Sequence, residues 1–558
     1  MKKLTIFCLG IVSVLISYGQ VAPDKYFISF TDKENSPYSI NRPEEFLSAR
    51  AIERRTKQGI PIDQEDIPVN ENYVTLVKNI GVTVLNRSKW LNGITVYCPD
   101  PSLIQAIREL PFVKNTIKSI TINNSKPVNK FESEEVLLEV NSVNSPWYTS
   151  EAGMGYNYGY SFRQVHQLSG DSMHRMGYRG EGMMIAVLDA GFLHADILPA
   201  LDSLWFHNQI LGTRDFVNPG NDVFQENEHG MQVLSIMGGN LPGQLIGTAP
   251  KATYWLLRTE EKNAENIIEE YNWVTGAEFA DSVGADIINS SLGYTTFDDT
   301  TMNHSCADMT GDQTIVTKGA NKAASRGMIV VNSAGNSGGT SWTCLSAPAD
   351  GYYVVAVASV DSNGNRSPFS SLGESTRRIK PNLAAMGSLT VQSSPSGTIV
   401  RRSGTSFSSP LIAGMTACLW QAAPTWSNTL IMRAIELSSN QIDDPDSLVG
   451  YGIPDFPKAL LRLQATEKKP EKRLTIYPNP FVDQLRIDIS PAEMTGDITL
   501  TLSDQLGRIR YHQKISWQGK GEEYLLLNNL GDLPAGSYFL RVTSQSNTQI
   551  IRTIKSGR

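Results

Sequence analysis

The sequence predicts a three-part chain. Its centre is an α/β unit with a parallel sheet covered by helices on both faces, flanked by a small α+β unit and an all-β sandwich. Three observations predict this. From about 156 to 465, short uniformly apolar runs alternate with helical segments, as strands buried on both faces do. Residues 25–122 read as strand, helix, strand, strand, helix, strand once one basic helix is set aside. Residues 474–558 hold short β-rich runs divided by turn residues. A chain of 558 residues is also too long for one core. Its net charge of −7 leaves no basic footprint, so nucleic acid is not an expected partner.

The N-terminus reads as an export signal. Met1-Lys2-Lys3 is basic, residues 4–17 are apolar and uncharged, and Tyr18-Gly19-Gln20 breaks the run. Residues 1–20 are therefore expected to be a cleaved signal peptide, too short to span a bilayer. No later segment offers about 18 uninterrupted apolar residues. The mature chain is expected to have no transmembrane span and to be secreted or held at the cell surface.

In the unit 21–122, residues 26–30, 81–85, 93–97 and 113–122 have strand patterns. Residues 72–79 and the proline-initiated 101–110 read as helices. Residues 43–55 form a helix with a basic end, treated as an insertion. The remaining order, βαββαβ, is ferredoxin-like. Residues 123–155 are polar and acidic with little periodicity, a linker with a cleavage region.

In the unit 156–465, strands are expected at 184–188, 254–257, 287–288, 328–331 and 353–357, with helices at 265–283 and 315–326. In such sheets sites form at the carboxyl ends of strands, which makes the residues there the ones to inspect. A charged linker, 466–473, leads to the tail, with strands near 485–489, 498–502, 508–515, 524–527 and 538–543.

Four cysteines remain after the signal: Cys98, Cys306, Cys344 and Cys418. Cys306 and Cys344 lie in polar loop sequence, and an exported chain meets an oxidising environment, so a disulfide between them is expected. It would add about 3–4 kcal/mol in the chain-entropy model. Cys418 reads as a small core residue. No histidine and cysteine spacing suggests zinc, and no metal ligand is assigned. Asp361-Ser362-Asn363-Gly364-Asn365 lacks the distal glutamate of a calcium loop and reads as a turn.

The chemistry-bearing residues stand where strands end or helices begin. Asp189 closes an apolar strand; alone it is a turn aspartate, and beside a histidine it would fix the ring tautomer. His229 precedes Gly230 and a buried helix, where it is either a cap or a rigidly held base. His194 is nearer to Asp189 but lies in loop-like sequence. Asn336, in Ser333-Ala334-Gly335-Asn336, offers an amide donor where an oxyanion would form, or an ordinary turn. Ser291, Leu292 and Gly293 follow a strand and offer extended backbone to a substrate. Ser406, in Gly404-Thr405-Ser406-Phe407-Ser408-Ser409-Pro410, opens an apolar helix whose N-terminus favours developing negative charge.

The motifs Val187-Leu188-Asp189-Ala190-Gly191, His229-Gly230, Ser333-Ala334-Gly335-Asn336 and Gly404 to Pro410, in this order, resemble the subtilisin family of serine proteases, the subtilases. The resemblance implies a subtilisin-like fold. It also implies a catalytic triad of Asp189, His229 and Ser406, with Asn336 in the oxyanion hole. By the same resemblance, Ser291, Leu292 and Gly293 border the pocket for the residue before the scissile bond. It admits calcium as a cofactor, with no ligand named. Where the family usually continues Thr-His-Val-Ala, this chain has Met231-Gln232-Val233-Leu234. Residues 25–122 resemble subtilase propeptides, which assist folding and act as intramolecular inhibitors. The tail resembles sorting domains of type IX secretion substrates through Tyr477-Pro478-Asn479-Pro480, Asp504 to Arg508 and Leu533 to Tyr538. The expected function is a secreted serine endopeptidase acting on protein or peptide substrates through an acyl-enzyme. It would be made as a self-processed precursor and exported by secretion machinery that reads the tail. The alternative is a catalytically inactive, subtilase-like surface binding protein.

Overall fold

The computed structural model describes residues 24–119, 135–137, 156–376, 378–468, 475–488, 496–517, 524–544 and 548–556. The signal segment and most of the expected linker 123–155 lie outside these residues.

The first unit contains β1 (Lys25–Phe30), α1 (Ala49–Lys57), α2 (Glu71–Asn79), β2 (Thr83–Ser88), β3 (Gly93–Tyr97), α3 (Pro101–Arg108) and β4 (Val113–Lys118). The four strands pair antiparallel in the order β2-β3-β1-β4, the ferredoxin-like arrangement. Period-two alternation gives this sheet two faces. Tyr26, Ile28 and Phe30 pack with Val74, Val77, Ile104 and Ile107 of α2 and α3. Phe27 points the other way, into the core of the central unit.

One short strand, β5 (Glu135–Leu137), falls within the stretch expected to be linker. It pairs with a later hairpin. Three residues are too few for a period to show.

The central unit begins with α4 (Phe162–His166), α5 (Gly170–Arg175), β6 (Met184–Asp189), α6 (Asp202–Phe206), β7 (Ile210–Asp215) and α7 (His229–Gly238). A small ribbon, β8 (Asn240–Leu241) and β9 (Leu245–Ile246), precedes β10 (Thr253–Arg258), α8 (Ile268–Val283), β11 (Ile287–Ser290), α9 (Ile315–Ser325), β12 (Ile329–Ser333), β13 (Val354–Val360) and β14 (Leu383–Met386). The hairpin β15 (Thr390–Ser393) and β16 (Ile399–Arg402), to which β5 adds, leads to α10 (Thr405–Ala422), α11 (Asn428–Ser438) and α12 (Phe456–Lys468). Seven strands form one parallel sheet, β14-β13-β12-β11-β6-β10-β7. Its strands alternate between two cores. Ile185, Val187, Ile329 and Val331 face α7 and α10, while Ala186, Leu188, Ile288 and Val330 face α8 and α9. This double burial is why the strands read as continuous apolar runs. The last helix runs to Lys468, three residues beyond the expected end of the unit at 465.

The tail holds β17 (Thr475–Tyr477), β18 (Leu485–Asp488), β19 (Gly496–Asp504), β20 (Ile509–Trp517), β21 (Tyr524–Leu527), β22 (Gly536–Thr543) and β23 (Thr548–Lys555). They form antiparallel sheets β17-β18-β21 and β20-β19-β22-β23 around a common core of residues such as Phe481, Leu500, Leu527 and Leu540. The all-β sandwich is present. Cys306 and Cys344 are joined in a disulfide with Cα atoms 5.9 Å apart, and Cys98 and Cys418 are free and buried.

Candidate active site

Asp189 is the last residue of β6, whose central position in the sheet leaves it fully buried. Its Oδ1 accepts from His229 Nδ1 at 2.7 Å and from the backbone N–H of Ala190 at 2.8 Å. Oδ2 is buried and has no hydrogen-bond partner. Behind it, Arg258 donates to Ala190 O at 3.1 Å and pairs with Asp215 at 2.8 Å and Glu261 at 2.9 Å.

His229 is the first residue of α7 and is buried. Its N–H donates to Asn227 Oδ1 at 2.7 Å, which fixes the entry of the helix. Gly230 explains the closeness to β6. A Cβ there would lie 2.4 Å from Gly191 O and 2.8 Å from Asp189 Cβ, so any side chain would push α7 away from the acid. Met231 and Leu234, which depart from the Thr-His-Val-Ala pattern, are absorbed into the apolar core beside Val233. The sequence rival His194 turns its Nδ1 to Pro395 O at 2.9 Å.

Ser406 is the second residue of α10, so the helix starts one residue before it rather than directly behind it. The His229 ring lies 5.9 Å from that of Phe407, the next residue along. The Ser406 hydroxyl donates to Ser291 O at 3.3 Å, and Ser291 Oγ donates to Ser406 O at 2.8 Å. Ser409 Oγ donates to Asn289 Oδ1 at 2.9 Å, tying α10 a second time to the end of β11.

Asn336 follows β12 at the same edge of the sheet. Its Oδ1 accepts from Thr405 N at 2.9 Å and Thr405 Oγ1 at 2.8 Å, while Gly335 N donates to Thr405 Oγ1 at 3.2 Å. With the oxygen engaged, the Nδ2 donor is presented on the side of Gly404. Thr405 thereby orients the amide, a role that its place in a Gly-Thr-Ser motif does not reveal.

Asp189, His229, Ser291, Asn336 and Ser406 thus converge at the carboxyl edge of one parallel sheet, where this architecture forms its sites. The arrangement has a hydroxyl at a helix start, an imidazole held by a buried carboxylate, and an amide donor on the side of Gly404, two residues before the hydroxyl. That set is suited to acyl transfer.

Among the described residues, Glu260, Glu265 and Glu269 bring three carboxylates within 4.8 Å of one another. Glu260 accepts from Tyr294 OH, and Glu269 accepts from the N–H groups of Glu261 and Asn266. These bonds tie Glu260 and Glu269 to their surroundings, and no calcium ligand is assigned there. Asp361 accepts from the N–H groups of Asn363 and Asn365, the turn its sequence suggested.

Comparison with known proteins gives three family matches. Residues 180–452 match the subtilase family. Residues 25–135 match the peptidase S8 propeptide domain of Bacteroidota. Residues 475–556 match the secretion system C-terminal sorting domain. Subtilisin NAT of Bacillus subtilis subsp. natto is 27% identical over 314 residues, covering 55% of this chain and 74% of that protein. Subtilisin BL of Lederbergia lenta is 29% identical over 293 residues, covering 52% and 94%. Among solved structures, that of MycP1 with its N-terminal propeptide removed aligns with 22% identity and a TM-score of 0.42, over 53% of this chain and 96% of that one.

Proposed function

The chain belongs to the subtilase family of serine endopeptidases, and we propose that Asp189, His229 and Ser406 are its catalytic triad. The observation that carries this is the buried 2.7 Å contact between Asp189 and His229 Nδ1. It leaves Nε2 as the nitrogen that acts on Ser406. His229 takes the hydroxyl proton as Ser406 Oγ attacks a peptide carbonyl, and Asp189 stabilises the imidazolium that forms. Asn336 Nδ2 and the Ser406 N–H stabilise the oxyanion, each such donor being worth about 10²–10³ in turnover. The imidazolium then protonates the leaving amine. Water, activated by the same base, resolves the acyl-enzyme. Calcium enters none of these steps.

The first unit is the intramolecular inhibitor, released by the enzyme's own cleavage in the stretch that follows it. Its docking on α8 and on the segment that follows β7 supports this. Phe27 stacks on Tyr271 with ring centroids 4.2 Å apart, Lys25 Nζ donates to Val217 O at 2.6 Å, and Asn86 Nδ2 donates to Phe216 O at 2.6 Å. The tail addresses the precursor to secretion machinery. Among the described residues no helix is long and apolar enough to cross a membrane.

The test is Ser406→Ala in the full precursor. It is expected to abolish casein hydrolysis and to leave the N-terminal unit uncleaved. Casein hydrolysis at the wild-type rate would overturn the assignment.

A further inference from the structure

The tail and the central unit enclose a pocket of about 230 Å³ between them. Tyr352, Tyr353, Arg378 and Asp312 line it from the central unit, Tyr477 and Asp483 from the tail. Tyr352 and Tyr353 directly precede β13, so the pocket stands at the amino edge of the parallel sheet. Ser406 lies at the opposite, carboxyl edge. The pocket is therefore separate from the acyl-transfer site.

Its walls are braced, yet their polar groups are only partly used. The Arg378 guanidinium lies 3.8 Å from the centroid of the Tyr352 ring, and it donates to Asp350 O at 3.3 Å. Among the described residues no carboxylate pairs with it, and burial pushes the guanidinium below its ordinary range. Tyr353 N donates to Asn321 Oδ1 at 3.0 Å, and its ring lies 6.0 Å from that of Tyr477. Asp483 Oδ1 accepts from Gly531 N at 2.8 Å, and Asp312 Oδ1 accepts from the Gln313 side chain at 2.7 Å. Among the described residues, Oδ2 of each of these two carboxylates receives no hydrogen bond. The three tyrosines and Arg378 are half-buried, and Asp483 is exposed at the rim.

A ligand here meets aromatic faces, two carboxylates and one guanidinium at once. An anion is repelled by Asp312 and Asp483, and a cation by Arg378. A neutral ring with apolar C–H faces and hydroxyl edges suits all three. Its faces lie against the tyrosine rings. Its hydroxyls donate to the carboxylates and accept from Arg378. The volume is below the about 300–1,000 Å³ of pockets for drug-sized ligands, which limits the occupant to roughly one six-membered ring. We propose that this junction is a binding site for a neutral hexopyranose unit of a glycan. Because both units supply walls, the bound sugar fastens the tail to the enzyme, as any ligand favours the state that binds it. The site is independent of the protease reading.

The test is titration calorimetry on the full chain carrying Ser406→Ala, so that self-cleavage does not shorten it. The probes are the methyl glycosides of glucose, galactose and mannose, with methyl glucuronide as the anion and choline as the cation. At least one neutral glycoside is expected to bind with Kd of about 1 mM, and the two charged probes at least about tenfold more weakly. Tyr477→Ala and a chain ended at Lys468 should each weaken that binding about tenfold or more, the loss of one stacking face being worth about 1.4 kcal/mol. Asp312→Asn, which keeps the shape of the wall, should weaken it several-fold with an unchanged unfolding midpoint. No heat from any neutral glycoside up to about 20 mM would overturn the proposal. So would tighter binding of the glucuronide or of choline. Binding that survives both the ending at Lys468 and Asp312→Asn would place the sugar elsewhere and overturn it as well.

Discussion

The two flanking units meet the central one in opposite ways. The first unit shares its core: Phe27, Trp90, Leu91 and Ile117 belong to the apolar cluster of α8 and α9. It also drives charge into the interface. Asp281 of α8 pairs with Arg54 at 2.6 Å, Arg55 at 2.8 Å and Lys89 at 2.9 Å, and Arg55 pairs in turn with Asp66 at 2.9 Å. Burial acts to raise the Asp281 carboxyl, but Lys89, Arg55 and Arg54 outweigh it and hold the group well below the usual carboxylate range. The tail instead keeps a core entirely of its own residues. Its contact with the central unit includes Tyr477, whose ring lies 6.0 Å from that of Tyr353 and whose hydroxyl reaches Tyr352 O at 3.5 Å. The contrast teaches that one unit is built to be held by the enzyme and the other to stand beside it. On the proposed reading, an inhibitor needs its partner's surface, whereas an address needs only its own fold.

Asp281→Ala breaks the comparison most severely. It leaves Arg54 and Lys89 without their carboxylate and Arg55 with Asp66 alone, and removing one member of a buried ionic cluster costs about 3–5 kcal/mol. The cleaved N-terminal unit should then separate from the enzyme on size exclusion, with affinity weakened on the order of 10²–10³-fold, and activity should appear earlier in maturation. Wild-type retention of the unit by this variant would remove the charge cluster from the account. Ending the chain at Lys468 is the small effect. Exported by a heterologous signal, that protein should match the full chain in peptidase kcat/KM and stay within about 0.5 kcal/mol in stability, as a change away from any shared core does. A large fall in the unfolding midpoint would mean that the tail braces the enzyme after all.

Much of this was legible before any coordinates. The strands of the central sheet announce burial on both faces, and Asp189, His229, Asn336 and Ser406 each sit where a local pattern changes. What sequence patterns did not reveal are pairings across distance. The basic helix α1, set aside as an insertion, supplies Arg54 and Arg55 to an acid more than two hundred residues away, and no periodicity encodes that. Gly230 was visible as a motif letter, but its reason, the close pass of α7 over Asp189, is geometric. The run of α12 to Lys468 was hidden because a charged last turn reads as linker.

The most direct test of the central claim is labelling of the matured protein with a fluorophosphonate, followed by peptide mapping. The account predicts stoichiometric modification at Ser406, slowed on the order of 10⁴-fold or more by His229→Ala. Properly matured protein that stays unlabelled, or is labelled at another residue, would contradict it.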